Sequence, residues 1–293
     1  MDPVSAQPLR LGRREFAADE LVVMAIVNRT PDSFFDEGAY LDDAAGLDAV
    51  ARAVEEGAAI VDIGGVKAGP GPEVGVAEEL RRTEGFVATV RSRHPDLVIS
   101  VDTWRSEVAD RLCAAGADLV NDAWGGADPR TADVAAAHGA GLVCTHTGGL
   151  PPRTDPHRVA YEDVVADVVA SVTAQAERAV AAGVRREAVL VDPAHDFGKN
   201  TYHSLEVSRR LDEVVATGWP VLVALSNKKF LGEVLDADKN QRLEATLAAT
   251  ALAAWQGARV FRAHQVAPTR RVLDTVAAIA GTRPPAVSRR ALA

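Results

Sequence analysis

The sequence has only two cysteines, Cys113 and Cys144, among its 293 residues. Neither lies in a CxxC pair or a Cys/His cluster. That excludes a disulfide framework, a structural zinc site and a dithiol redox centre, and makes a reducing cytoplasm the expected setting. Positive charge is also in short supply: 32 Lys and Arg stand against 41 Asp and Glu, a net charge of −9. Nucleic-acid binding needs a basic patch that this balance does not provide. No apolar run approaches the ~20 residues of a membrane helix, and residues 1–16 lack the apolar stretch of a signal peptide, so no membrane partner is expected. No GxxxxGK[ST] phosphate loop occurs, and no Ser-His-Asp order or nucleophile elbow. Covalent nucleophilic catalysis therefore ranks low.

What is present is alternation. Short β-branched runs recur at 21–27, 58–63, 97–100, 117–120, 141–144, 188–191, 220–224 and 258–261. Each is nearly all apolar, as a strand buried on both faces should be. Between them lie stretches whose apolar residues recur every three or four positions, for instance 43–57, 106–116, 161–183 and 242–257. Many of these stretches end in glycine just before the next run, as helices do: Gly57, Gly116, Gly139, Gly183, Gly218 and Gly257. Eight strands alternating with helices predict an α/β fold, a (β/α)₈ TIM barrel, in one domain spanning 1–293. Residues 1–20 read as an arm or a first hairpin, and 281–293 as a tail. The alternative, a doubly wound open sheet, often carries GxGxxG after its first strand, where this chain has Asn28-Arg29-Thr30-Pro31.

In such a barrel the chemistry sits where strands end. The strand-end residues are Asn28, Asp62, Asp102, Asn121, His146, Asp192, Ser226 with Lys228, and Arg262 with His264. Carboxylates and amides on one side suit a heterocycle rich in N–H donors. Lys228, Arg262 and His264 suit an anion such as phosphate. Asp62 and Asp122 read as orienting partners rather than ligand contacts. His146 is open between a site role and support of its loop. His195 and His203, eight apart, do not make a metal motif. Trp104 and Trp124 follow strand ends and read first as packing residues. Glu55-Glu56 and Glu78-Glu79 read as solvated helix faces.

These strand ends resemble those of the dihydropteroate synthases. Asn28-Arg29-Thr30-Pro31-Asp32-Ser33-Phe34 resembles their N-x-T-P-D-S-F, and Asp62-Ile63-Gly64-Gly65 their D-I-G-G. Ser100-Val101-Asp102-Thr103 is similar to S-V-D-T, and Asn121-Asp122 to the N-D that follows. Asp192-Pro193 with Phe197-Gly198-Lys199 is similar to D-P-G-x-G-F-G-K. Ser226-Asn227-Lys228 is similar to S-R-K, and Arg262-Ala263-His264 to R-V-H. The resemblance runs in order from about residue 21 to 280. It implies a cytoplasmic transferase of folate biosynthesis that joins 6-hydroxymethyl-7,8-dihydropterin diphosphate to p-aminobenzoate, releases diphosphate and uses Mg²⁺. It gives Asn28 to the metal and diphosphate. It gives Asp102, Asn121, Asp192 and Lys228 to the pterin, and Arg262 and His264 to the diphosphate. Lys228, Arg262 and His264 would carry the catalytic work. The resemblance also implies a homodimer, and the small-residue helix at 243–256 suits close packing.

The departures cluster on the p-aminobenzoate side. Where the family reads E-S-T-R-P-G, this chain reads Val66-Lys67-Ala68-Gly69-Pro70-Gly71. Lys67 keeps a charge but not a guanidinium fork. Asn227 and Lys229 replace the Arg and last Ser of S-R-K-S. Ala194-His195-Asp196 replaces G-x-G, which brings a second carboxylate beside the site. This pattern resembles the divergent second paralogue of some actinobacteria. The alternative function is therefore a paralogue that binds pterin but has lost or changed the condensation, for example by using another amine.

Overall fold

The computed structural model describes residues 8–30, 42–154 and 160–290. Residues 31–34 of the N-x-T-P-D-S-F segment lie outside the described residues. The first described elements form an antiparallel hairpin, β1 (Leu9–Leu11) and β2 (Arg14–Phe16). Strands and helices then alternate. The order is β3 (Val22–Asn28), α1 (Asp43–Glu55), β4 (Ile60–Gly64), α2 (Val76–Arg93), β5 (Val98–Asp102), α3 (Ser106–Ala114), β6 (Leu119–Asp122), α4 (Thr131–His138) and β7 (Gly141–Thr145). There follow α5 (Val164–Ala181), β8 (Val189–Asp192), α6 (Thr201–Arg209), α7 (Leu211–Val215), β9 (Leu222–Val223), α8 (Lys229–Leu235), α9 (Leu243–Trp255), β10 (Val260–Ala263) and α10 (Val266–Ala280).

Strands β3 to β10 make one parallel sheet in the order β8-β7-β6-β5-β4-β3-β10-β9. Its two edges meet at a parallel bridge between Val191 and Val221, where Val191 N–H donates to Pro220 O at 3.0 Å. The sheet thus curls into the predicted barrel. Each predicted strand is found, beginning no more than two residues after the start of its apolar run. The tight end at Gly139 also matches the sequence: it caps α4 with φ +64.

The pleat sorts the strand residues. Val23, Val61, Ile99, Val120, Val191 and Phe261 face outward into the layer beneath the helices. Inward positions follow at every second residue. The inward face is apolar at the start of the strands, with Met24, Ile60, Val98, Leu119, Leu190, Leu222 and Val260. The hairpin closes that end: Leu9, Leu11 and Phe16 are fully buried against it. A Cβ at Gly141 would lie 2.7 Å from Leu11 Cδ2 and 2.5 Å from Ala188 O, so only glycine admits the plug. Two residues further along β4, β5, β6, β8 and β10 the inward face becomes Asp62, Ser100, Asn121, Asp192 and Arg262.

Two features escape the sequence pattern. The helical layer between β8 and β9 breaks into α6 and α7, and α8 is an extra short helix ahead of α9. Helix α8 has only seven residues and contains Gly232, so it carries no helical period. The Arg242 guanidinium fills the space that a Cβ at Gly232 would need, at 2.3 Å from Nε. Residues 281–290 are exposed and form neither helix nor strand. Among the described residues no helix is long and apolar enough to cross a membrane.

The hairpin plug makes a testable claim. Leu11→Ala is expected to lower stability by about 2–5 kcal/mol in urea unfolding, the usual cost of a buried Leu truncation. A loss below about 0.5 kcal/mol would show that the hairpin is not part of the core.

Candidate active site

The strands end in a cavity of about 600 Å³. Asn28 of β3, Asp102 of β5, Arg262 of β10, and Lys228 and His264 in the loops after β9 and β10 all line it. Asn121 and Asp192 stand deeper, on the same inward face, and are almost fully buried. The residues that the sequence assigned to one site are therefore brought together, but these two do not line the open part of the cavity.

Arg262 organises the floor. Its Nε donates to Asp62 Oδ2 at 2.6 Å, and its Nη2 donates to Asp102 Oδ2 at 3.0 Å. Asp62 is fully buried and also accepts from Ser100 Oγ at 2.6 Å and Asn121 Nδ2 at 3.1 Å. It orients Arg262 and Asn121 from within the barrel, as the sequence reading proposed. Asp102 is the less satisfied carboxylate. Burial, opposed by Arg262 and reinforced by Asp62, pushes its pKa up to about 7. Burial also pulls His264 down to about 3, with Arg262 and Lys228 adding to the shift. This imidazole is neutral at pH 7, not the cation that the sequence inventory allowed. Its Nδ1 lies 3.0 Å from Ser226 Oγ.

Asp192 Oδ1 accepts from Ala194 N–H at 2.7 Å. Burial raises its pKa, against the favourable charges of Lys228, Lys199 and Arg262. Lys228 Nζ sits 4.4 Å from the Phe197 ring centroid, over its face, and burial lowers its pKa. Trp124 meets Phe197 edge-on at 5.1 Å and Trp104 at 6.5 Å, so both Trp rings pack as predicted while Trp124 also lines the cavity.

Lys199, which the sequence shows only as the end of the F-G-K segment, pins the loop after β8. Its Nζ donates to Phe197 O at 3.0 Å and Ala194 O at 3.2 Å, and lies 2.6 Å from His146 Nδ1. His146 Nε2 in turn lies 2.6 Å from Asp167 Oδ1. His146 is therefore a loop support, and burial lowers its pKa to about 4. A second staple spans the mouth. Arg153, in the loop after β7, donates from Nε to Gly69 O at 3.1 Å and from Nη1 to Pro72 O at 2.7 Å, both in the loop after β4. Beneath that loop Glu79 is buried and paired with Arg105. This corrects its reading as a solvated helix face, because α2 turns Glu79 inward toward the loop. Neither Arg153 nor Arg105 carried a sequence signal.

The sequence matches the family described as "Pterin binding enzyme" over residues 24–264. The chain belongs to that family. It is 61% identical over 284 residues to "Inactive dihydropteroate synthase 2" of Mycobacterium leprae, covering 96% of this chain and 98% of that protein. The dihydropteroate synthase of Yersinia pestis, solved in a sulfonamide drug complex, superposes with a TM-score of 0.89 at 32% identity, over 94% of this chain and 100% of that one. The Thermus thermophilus enzyme in complex with 4-aminobenzoate gives 0.83 at 36% identity, over 93% and 100%. The resemblance read from the motifs thus names the right family and the right barrel.

The D-P-G-x-G-F departure has a backbone consequence. Ala194 has φ +50 and Asp196 φ +69, so two non-glycine residues hold the left-handed conformation where the family motif has glycine. That conformation costs a residue with a Cβ about 1–2 kcal/mol. Ala194→Gly is expected to raise stability by about 1 kcal/mol, read as a shifted urea midpoint. A destabilised variant would show that the loop is not strained at Ala194.

Proposed function

We propose that this chain binds a 6-hydroxymethyl-dihydropterin diphosphate in the cytoplasm but has lost or changed its condensation with p-aminobenzoate. The carrying observation is the contrast between the two sides of the cavity. The floor built on strand ends is interlocked through Arg262, which Asp62 and Asp102 share, with Lys228 and Asp192 beside them. The loop over the other side has Ala68 and Gly69 where the family pattern has Thr and Arg. The name of the M. leprae relative, an inactive dihydropteroate synthase, supports this reading over the full condensation.

In this reading Asp192, Asn121 and Asp102 take the N–H-rich edge of the pterin, and Lys228 packs against it. Arg262 and neutral His264 face the diphosphate. Asn28 offers the metal a hard oxygen at the cavity wall, and the buried Thr30 hydroxyl nearby has no partner among the described residues. This donor set fits Mg²⁺, which binds through few protein oxygens and the substrate's phosphates. When bound, Mg²⁺ would neutralise charge on the departing diphosphate. The exposed Leu252 and Trp255 of α9 and Ile279 of α10 support pairing with a second copy of the chain.

Calorimetry with the pterin diphosphate and Mg²⁺ is expected to give micromolar or tighter binding, ~8 kcal/mol or more. Asp192→Asn should lose ~2–5 kcal/mol of that, because a ligand N–H then meets a donor. Product analysis with p-aminobenzoate should show turnover far below that of a family member with the complete loop. Absent binding at millimolar ligand would remove the pterin reading, and undiminished turnover would restore the full synthase.

The pH dependence follows from Asp102. Its folded pKa of about 7 means that below that pH it holds a proton on the oxygen that Arg262 does not bond and cannot then accept a ligand N–H there. Pterin affinity should rise about tenfold per pH unit as pH increases toward 7, then level off. Asp102→Asn should remove that slope. Parallel pH profiles for wild type and Asp102→Asn would contradict the assignment.

A further inference from the structure

We propose that Asp196 sets the specificity of the amine side, its own carboxylate occupying the place of the carboxylate of 4-aminobenzoate, so that the site turns away carboxylate-bearing arylamines. The inference rests on reading the cavity as a pterin diphosphate site with an amine side.

Asp196 stands where the family motif has glycine, and it keeps the glycine-like backbone at φ +69. An Asp held there is strained, and the surrounding structure must over-determine it. It does so from both ends. Asp196 N–H donates to Ser204 Oγ at 3.1 Å. Its Oδ2 accepts from Lys229 N–H at 2.6 Å, and its Oδ1 accepts from Phe230 N–H at 3.3 Å. Asp196 thus lines the cavity while its carboxylate takes two backbone donors at the start of α8, one of them on the cavity-lining Lys229. It is also the carboxylate that most favours the charged form of Lys228.

An arylamine with a carboxylate is recognised through directional donors to that carboxylate. The loop after β4 supplies no guanidinium, since Gly69 is there and Arg153 spends its Nε and Nη1 on backbone carbonyls. On the facing wall, two fixed backbone donors, Lys229 N–H and Phe230 N–H, are already held by Asp196. Lys67 and Lys229 at the rim draw anions in general, but an ammonium on a flexible stem is no substitute for fixed donors. A second carboxylate arriving there would meet a like charge and occupied N–H groups. An arylamine without a carboxylate meets neither obstacle.

The test compares 4-aminobenzoate with its neutral isostere 4-aminobenzamide. Both are titrated into wild type, Asp196→Gly and Asp196→Asn, with and without pterin diphosphate and Mg²⁺, by ligand-observed NMR. Wild type is expected to prefer the amide by about tenfold or more. Asp196→Gly should gain about tenfold for 4-aminobenzoate and change within about threefold for the amide. Asp196→Asn, which tolerates the left-handed backbone, should fall between them and guard against a folding artefact. Equal wild-type affinity for both amines, an unaltered ratio in both variants, or no amine binding to any of the three proteins would overturn the proposal. Pterin binding is read separately. Its failure removes the pterin reading, while the amine ratios on the protein alone still decide the role of Asp196.

Discussion

One guanidinium holds the middle of this barrel together. Arg262 comes from the last strand and bonds Asp62 on β4 and Asp102 on β5, while Asp62 also gathers Ser100 of β5 and Asn121 of β6. A buried carboxylate left without such partners would be too costly to keep charged, so the cluster stands or falls as a unit. Because a single cation serves two carboxylates, their satisfaction is unequal. Among the described residues Asp62 takes three side-chain donors and Asp102 one, at the edge of the cavity.

The two sides of the cavity differ in what holds them. The floor consists of strand-end side chains whose directions are set by the pleat and locked by mutual hydrogen bonds. Groups on such a frame are placed more exactly than groups on loops. The opposite side is made of loops stapled by contacts to backbone carbonyls: Arg153 to Gly69 and Pro72, Lys199 to Ala194 and Phe197. Backbone carbonyls are present whatever the side chain is. Cavity-facing residues at Ala68 and Gly69 are therefore free to change without loosening those staples, whereas Asp196 is itself a tie, holding Lys229 and Phe230 N–H.

The strands and the strand-end residues were legible in the sequence because both obey a short period. A buried parallel strand is an apolar run, and the first polar residue after it marks the mouth of the barrel. The hub role of Asp62 was legible only as an orienting partner, since nothing in a sequence tells which carboxylate a distant arginine will choose. Helix α8 was not legible, being too short to show a period. Nor was the strained conformation of Ala194: its side chain gives no hint of a left-handed backbone, and only the family motif pointed to glycine there. Glu79 misled because a charged pair at the start of a helix usually faces water, while the inward turn of α2 gives it Arg105.

The hairpin at the base has a consequence for the order of assembly. Residues 9–16 precede every barrel strand, yet Leu11 packs beside Gly141 and Ala188, and β3 completes its pairing only with β10. During synthesis the plug and the first barrel strand must wait for partners on the order of a hundred residues or more away, a long-range topology that folds slowly. Their apolar faces stay uncovered until the ring can close. The end of the barrel opposite the cavity is thus the part most dependent on protection while the chain is being made.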